Sequence, residues 1–117
     1  TSMSASSTTP APREQVPAPL IDRVARVLDA DPDVVRREPT LAQFVTSLHQ
    51  GSSRERMDGL QVTETSAGVR VYAEITVRRG RSLLDIHRRL SEAVREAVRS
   101  QTGQAPTLLA LTILGTE

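Results

Sequence analysis

The chain has 117 residues with 15 arginines and no lysine, 14 acids, two histidines, one tyrosine, one phenylalanine and no cysteine or tryptophan, for a formal net charge of +1. Without cysteine there are no disulfides, thiolate catalysis, iron–sulfur clusters or cysteine-based zinc sites. Two aromatic rings are too few for the stacking platforms that hold bases, sugars or quaternary amines. No apolar run approaches the roughly 18 residues of a membrane span, and the N-terminus has no apolar signal core, so no segment is expected to enter a bilayer by itself.

Residues 1–17 (TSMSASSTTPAPREQVP) are a Ser/Thr/Ala/Pro tract that cannot bury a core and reads as a disordered tail. Residues 18–117 are then a single small domain whose core must be built from Val, Leu, Ile and Ala. Leu20, Ile21, Val24, Val27 and Leu28 recur at helical spacing behind Pro19, and Pro32 stops that helix near Ala30. From Asp33 to Asp58 two readings compete. Thr40 with Gln43 has the form of a capping box, and Leu41, Phe44, Val45 and Leu48 have helical period. The alternative takes Phe44 to Leu48 as a short strand and the polar run Gln50 to Asp58 as an exposed loop.

Leu60 to Thr65 is strand-like, Ser66-Ala67-Gly68 supplies a turn, and Val69 to Arg78 alternates without a break. Val69, Val71, Ala73, Ile75 and Val77 define one face, which is expected to be buried, and Arg70, Tyr72, Glu74, Thr76 and Arg78 the other, which is expected to be solvated. Gly80 ends the strand. Ser82 and Asp85 then start a helix whose buried stripe is Leu83, Ile86, Leu90, Ala93, Val94, Ala97 and Val98, and which Gly103 and Pro106 terminate. Leu108 to Leu114 is a nearly continuous apolar run of strand length, expected to be a strand buried more fully than the others. The expected fold is α+β: a two-layer sandwich with a three- to four-stranded mixed sheet and two helices on one face.

Candidate chemistry is sparse. His87 reads as a boundary histidine at the edge of the helix stripe and His49 as a loop residue; neither has the second imidazole or converging carboxylates that a metal needs. Ser52, Ser53 and Ser82 lack a neighbouring base, and Asp29, Asp31 and Asp33 lack the glycine and terminal glutamate of a calcium loop. The isolated glycines form no phosphate cradle. No catalytic residue, metal site or cofactor is therefore assigned. Residues 70–99 carry eight arginines against four acids. Asp85, Glu92 and Glu96 can neutralise Arg88, Arg89, Arg95 and Arg99 one helical turn away, which leaves Arg78, Arg79 and Arg81 without a local acid. Arg78, Arg79, Arg81, Arg88 and Arg89 form the candidate partner or anion surface, where guanidiniums meet the free N–H groups of a helix start.

The run GLQVTETSAGVRVYAEITVRRGRSLLDIHRRLSEAVREAVRSQTGQAPTLLALTILG, from Gly59 onward, resembles the alkaline shock protein family of bacterial envelope stress response proteins. The resemblance lies in the alternating strand Val71 to Val77, Arg79-Gly80, the helix from Ile86 through Val98, Thr102-Gly103, and the closing Leu109, Leu111, Ile113 and Gly115. It extends more thinly to Ile21-Asp22-Arg23-Val24 and Asp31-Pro32-Asp33-Val34, with Asp33 where the family usually has glycine. It implies a non-enzymatic, cytoplasmic protein that self-associates as a homo-oligomer. Such a protein gathers at the inner face of the membrane through a small membrane-anchored partner. It also implies that Phe44 to Leu48 is a strand, and this reading is adopted. The competing function is a small RNA-backbone binder using the Arg78–Arg89 surface, against which stands the missing Gly-x-x-Gly clamp, since Leu83 follows Gly80 by three places.

Overall fold

The computed structural model describes residues 19–39 and 53–117. In chain order they form α1 (Leu20–Ala30), β1 (Val34–Arg37), β2 (Ser53–Met57), β3 (Leu60–Thr65), β4 (Gly68–Val77), α2 (Leu83–Thr102) and β5 (Leu108–Thr116). Phe44 to Leu48, His49 and the tail lie outside the described residues. The fold is α+β with both helices against one face of a mixed sheet, and the sheet has five strands rather than three or four.

β4 organises the sheet. On one edge β5 runs parallel to it from Arg70 to Val77. The other edge is shared by two strands laid end to end: β3 is antiparallel to Gly68–Ala73, and β1 is antiparallel to Ile75–Val77. Glu74 marks the junction, donating its N–H to the Gly59 carbonyl at 3.0 Å and accepting the Glu38 N–H at 2.8 Å. The chain thus leaves this edge at Glu38 and rejoins the same line at Gly59. β2 pairs with the outer edge of β3.

Two expectations are corrected here. The polar run read as an exposed loop contains β2 over Ser53–Met57. An outer strand presents few residues to the core, and among the β2 side chains Met57 packs against it, so polarity there records edge position rather than loop. The dipeptide Asp58-Gly59, closing a two-residue turn between β2 and β3, was the available hairpin signal. Secondly, the face of β4 away from the helices is not uniformly solvated, since Gln61, Glu74 and Thr76 are buried there. Thr76 donates its hydroxyl to Glu38, which also pairs with Arg36 at 2.9 Å, so polar partners cover this part of the sheet. Gln61 Oε1 is buried there without a hydrogen-bond partner among the described residues.

The helix-side core is aliphatic, as the composition requires. Leu20, Ile21, Val24, Ala25 and Leu28 of α1 and Ile86, Leu90, Val94 and Val98 of α2 close over Leu60, Val62, Val71, Ala73, Ile75, Val77 and Leu111. Fully burying one Leu or Val contributes roughly 1.5–3 kcal/mol. α2 begins with the expected cap, Ser82 Oγ accepting the Asp85 N–H at 3.3 Å, and ends at Gly103, whose φ of 88° is open to glycine and whose N–H reaches the Arg99 carbonyl at 2.8 Å. Leu83 departs from the expected stripe and is exposed, and β5 is not the most buried strand, since Leu111 alone of its residues is buried and Leu108 and Leu114 are exposed on an outer strand.

Gly59 is hemmed in by backbone as well as side chain. Its φ is +71°, and a Cβ there would sit 2.7 Å from both Arg37 Cβ and the Glu38 backbone nitrogen. Gly59→Ala is therefore expected to lower unfolding stability by about 1–3 kcal/mol, from positive-φ strain and forced separation of β1 from β3. Urea denaturation of the two chains compares them directly; an unchanged midpoint would contradict the end-to-end arrangement.

Candidate functional site

The five candidate arginines converge on the end of the domain where β4 leads into α2. They do not converge as a free cationic patch. The turn after α1 supplies counter-charges that local spacing could not reveal. Arg89 reaches Asp31 at 2.7 Å and Asp33 at 3.0 Å, and Arg81 lies 3.4 Å from Asp33. Arg78 donates from Nε to the Pro32 carbonyl at 2.6 Å and from its backbone N–H to the Asp33 carbonyl at 2.8 Å. Arg88 pairs with Asp85 one turn back at 3.3 Å, as expected on the helix. Arg79 donates its backbone N–H to the Glu117 carbonyl at 2.9 Å, and its charge acts on the Glu117 carboxylate.

The Asp31-Pro32-Asp33 turn is therefore an internal clamp. Asp31 also accepts the Asp33 N–H at 2.9 Å, which fixes both carboxylates toward α2. Burial pushes the Asp31 carboxyl up, but the hydrogen bonds from Arg89 and the Asp33 N–H, with the attraction of the Arg89 charge, outweigh it and hold the group below the ordinary aspartate range. The bonds to Asp31 and then Asp33 raise Arg89 in turn. A second pair joins Arg36 of β1 to Glu117, raising the arginine and lowering the glutamate chiefly through the hydrogen bonds between them.

What remains for a partner at this end is a mixed surface. Leu83 and Leu84, 45% and 68% exposed, open α2 beside the exposed Arg79, Arg81 and Arg88. The helical stripe read from the sequence includes Leu83 and leaves out Leu84. Leu83 lies one turn before Ile86 and two before Leu90, but among the described residues nothing covers the first turn of α2.

His87 is half-buried, with Nε2 2.7 Å from the Leu111 carbonyl and Nδ1 3.4 Å from Ser91 Oγ. The carbonyl can only accept, so Nε2 carries the proton; the residue ties α2 to β5. Ser82 serves as the cap of α2. Among the described residues no group of three or more His, Asp or Glu side chains is placed to hold a metal ion, and no helix is long and apolar enough to cross a membrane. One groove, of about 230 Å³, lies between the β3–β4 turn and the end of α2, lined in part by Glu64, Thr65, Thr102 and Gln104. Another, of about 480 Å³, follows Glu92, Arg95, Glu96 and Arg99. Both are open to solvent.

No family model matches the chain, and no curated protein does. Among solved structures, the copper form of a variant MamM CTD is similar at 14% identity over 84% of this chain and 95% of that one, with a TM-score of 0.43. A likeness that shallow carries no argument about fold or function.

The clamp has a pH signature. An unfolded chain holds Asp31 with an ordinary, higher pKa, so it binds a proton more readily than the folded chain and acid favours unfolding. The contribution is complete above the unfolded value of about 4 and is lost as pH falls through the lowered folded value. Asp31→Asn is expected to flatten the acid limb of a stability–pH profile. Arg89→Met is expected to cost about 1–2 kcal/mol at neutral pH, less than for a fully buried pair because Arg89 is half in solvent. Urea titrations from pH 3 to pH 7 measure both, and parallel profiles for the Asp31 variant and the parent would rule out the clamp.

Proposed function

We propose that the chain is a non-enzymatic interaction protein of the cell-envelope stress response, self-associating and recruited to the cytoplasmic face of the membrane by a partner protein. The observation that carries the reading is the start of α2, where two large leucines stand in solvent among arginines. Exposed apolar side chains rimmed by charge are the composition of a protein-docking patch. The sequence resemblance supports the same reading, because its matched positions coincide with features that shape the fold: Gly80 and Gly103 at positive φ, the inward face of β4, and the closing strand β5.

RNA-backbone binding is the weaker reading. A phosphate-binding surface relies on guanidiniums available to release counterions, whereas Asp31, Asp33 and Asp85 already engage Arg81, Arg88 and Arg89.

The tagged chain, expressed in a bacterium that carries a protein of the resembled family, is expected to sediment with membranes or in a heavy assembly when native lysate is fractionated. Leu84→Glu is expected to shift it several-fold toward the membrane-free fraction while leaving its circular dichroism unchanged, since Leu84 is largely exposed. A parent chain that runs as a free monomer away from membranes would overturn the reading.

A further inference from the structure

β5 is a nine-residue apolar strand that, among the described residues, pairs on one edge only, with β4. Glu74 turns its N–H and C=O toward β1 and β3, so alternation sends the peptide groups of Ala73 and Ile75 toward β5. In the parallel ladder Ala73 lies opposite Leu111. The Leu111 carbonyl accordingly faces away from β4, where His87 reaches it. By the same alternation Leu109, Leu111 and Ile113 present their peptide groups along an outer edge. Long apolar edges of this kind are templates for pairing with another strand.

The residues of that edge form a near-palindrome about Leu111. Leu108 mirrors Leu114, Leu109 mirrors Ile113, and Ala110 mirrors Thr112. Leu108 and Leu114, 41% and 48% exposed, are also the strand's two large side chains left in solvent. Both lie on the face away from the helices, since the intervening Leu109, Leu111 and Ile113 pack toward the core.

We propose that β5 pairs antiparallel with β5 of a second copy about a two-fold axis through Leu111, extending one sheet into the next. This rests on the self-association in the function proposed above and names its surface. In this register Leu108 of each chain lies against Leu114 of the other, and Leu109 against Ile113. A shift of two residues instead sets Leu108 against Thr112 or Leu114 against Ala110, and a shift of one turns the leucines to opposite faces. The mirrored pattern thus selects one register. A two-fold interface needs a self-complementary patch, which a palindromic strand supplies. Leu114 is the extra residue between those paired with Ile75 and Thr76, so the segment regularly paired with β4 ends at Ile113, and the Leu108–Leu114 contacts are the outermost of the new ladder. His87 does not block the pairing, because a carbonyl has two lone pairs and the helix layer uses one of them.

Sedimentation equilibrium of the full chain over a concentration series is expected to show a monomer–dimer equilibrium. Leu114→Arg, at an exposed position, is expected to raise the dissociation constant about tenfold or more, because the symmetry introduces the change twice. The register has its own test. The chain has no cysteine, and Ala110 and Thr112 of opposite chains form a non-hydrogen-bonded pair with Cα atoms about 4.5 Å apart, within disulfide reach. Under mild oxidation, a mixture of Ala110→Cys and Thr112→Cys chains is expected to cross-link severalfold faster than either alone. A dimer unaffected by Leu114→Arg, or one without this pairing preference, overturns the edge assignment and leaves self-association standing. A monomer at every concentration overturns both.

Discussion

The double pairing of β4 is the constraint on which the other elements depend. Its ten residues are occupied along both edges, by β5 on one side and by β3 and β1 in line on the other. Because side chains alternate, that pairing commits Val71, Ala73, Ile75 and Val77 to a single face, and both helices must pack there to remove them from water. The Glu74 junction converts two separate segments into one strand edge. It asks for an unusual local chemistry at Gly59, where the returning chain passes so close to Arg37 and Glu38 that no side chain fits.

Charge then ties the ends of the layers together. Arg37 of β1 bonds Asp29 of α1 and the Asp58 carbonyl, Arg23 of α1 reaches Ser100 of α2, and Arg89 of α2 holds the turn after α1. Apart from Arg37–Asp29, eight residues apart, each link joins segments far apart in sequence across the rim of an aliphatic core. An arginine is suited to such a place because its planar fork satisfies two acceptors while its stem lies on apolar surface. The cationic bias of the second half of the chain is thus largely consumed in cohesion. The surface that survives for a partner is defined less by the guanidiniums than by Leu83 and Leu84 among them.

The legible parts of the fold were those whose signal is local. The alternation from Val69 to Val77, the period of α2 and its Ser82 and Gly103 ends are set by side-chain spacing and by single capping residues, and they stand where the spacing put them. β1 and β2 were not legible in the same way. Val34–Arg37 is four residues long and half polar, and Ser53–Met57 is polar in sequence up to Met57, which packs against the core, so hydrophobic pattern could not distinguish them from loop. The candidate site shows the same division. Its arginines were found from their excess over local acids, but Asp31 and Asp33, which hold Arg89, lie more than fifty residues away.

By itself the sequence determined an α+β chain with an aliphatic core, no cysteine chemistry, and basic residues gathered at the start of the long helix, because composition and periodicity act within a few residues. Only the tertiary structure decided which charges are neutralised, which leucines stay in solvent and which strand, among the described residues, is left with an open edge. Those outcomes depend on how β4 brings distant segments into register, and no window of sequence contains that distance.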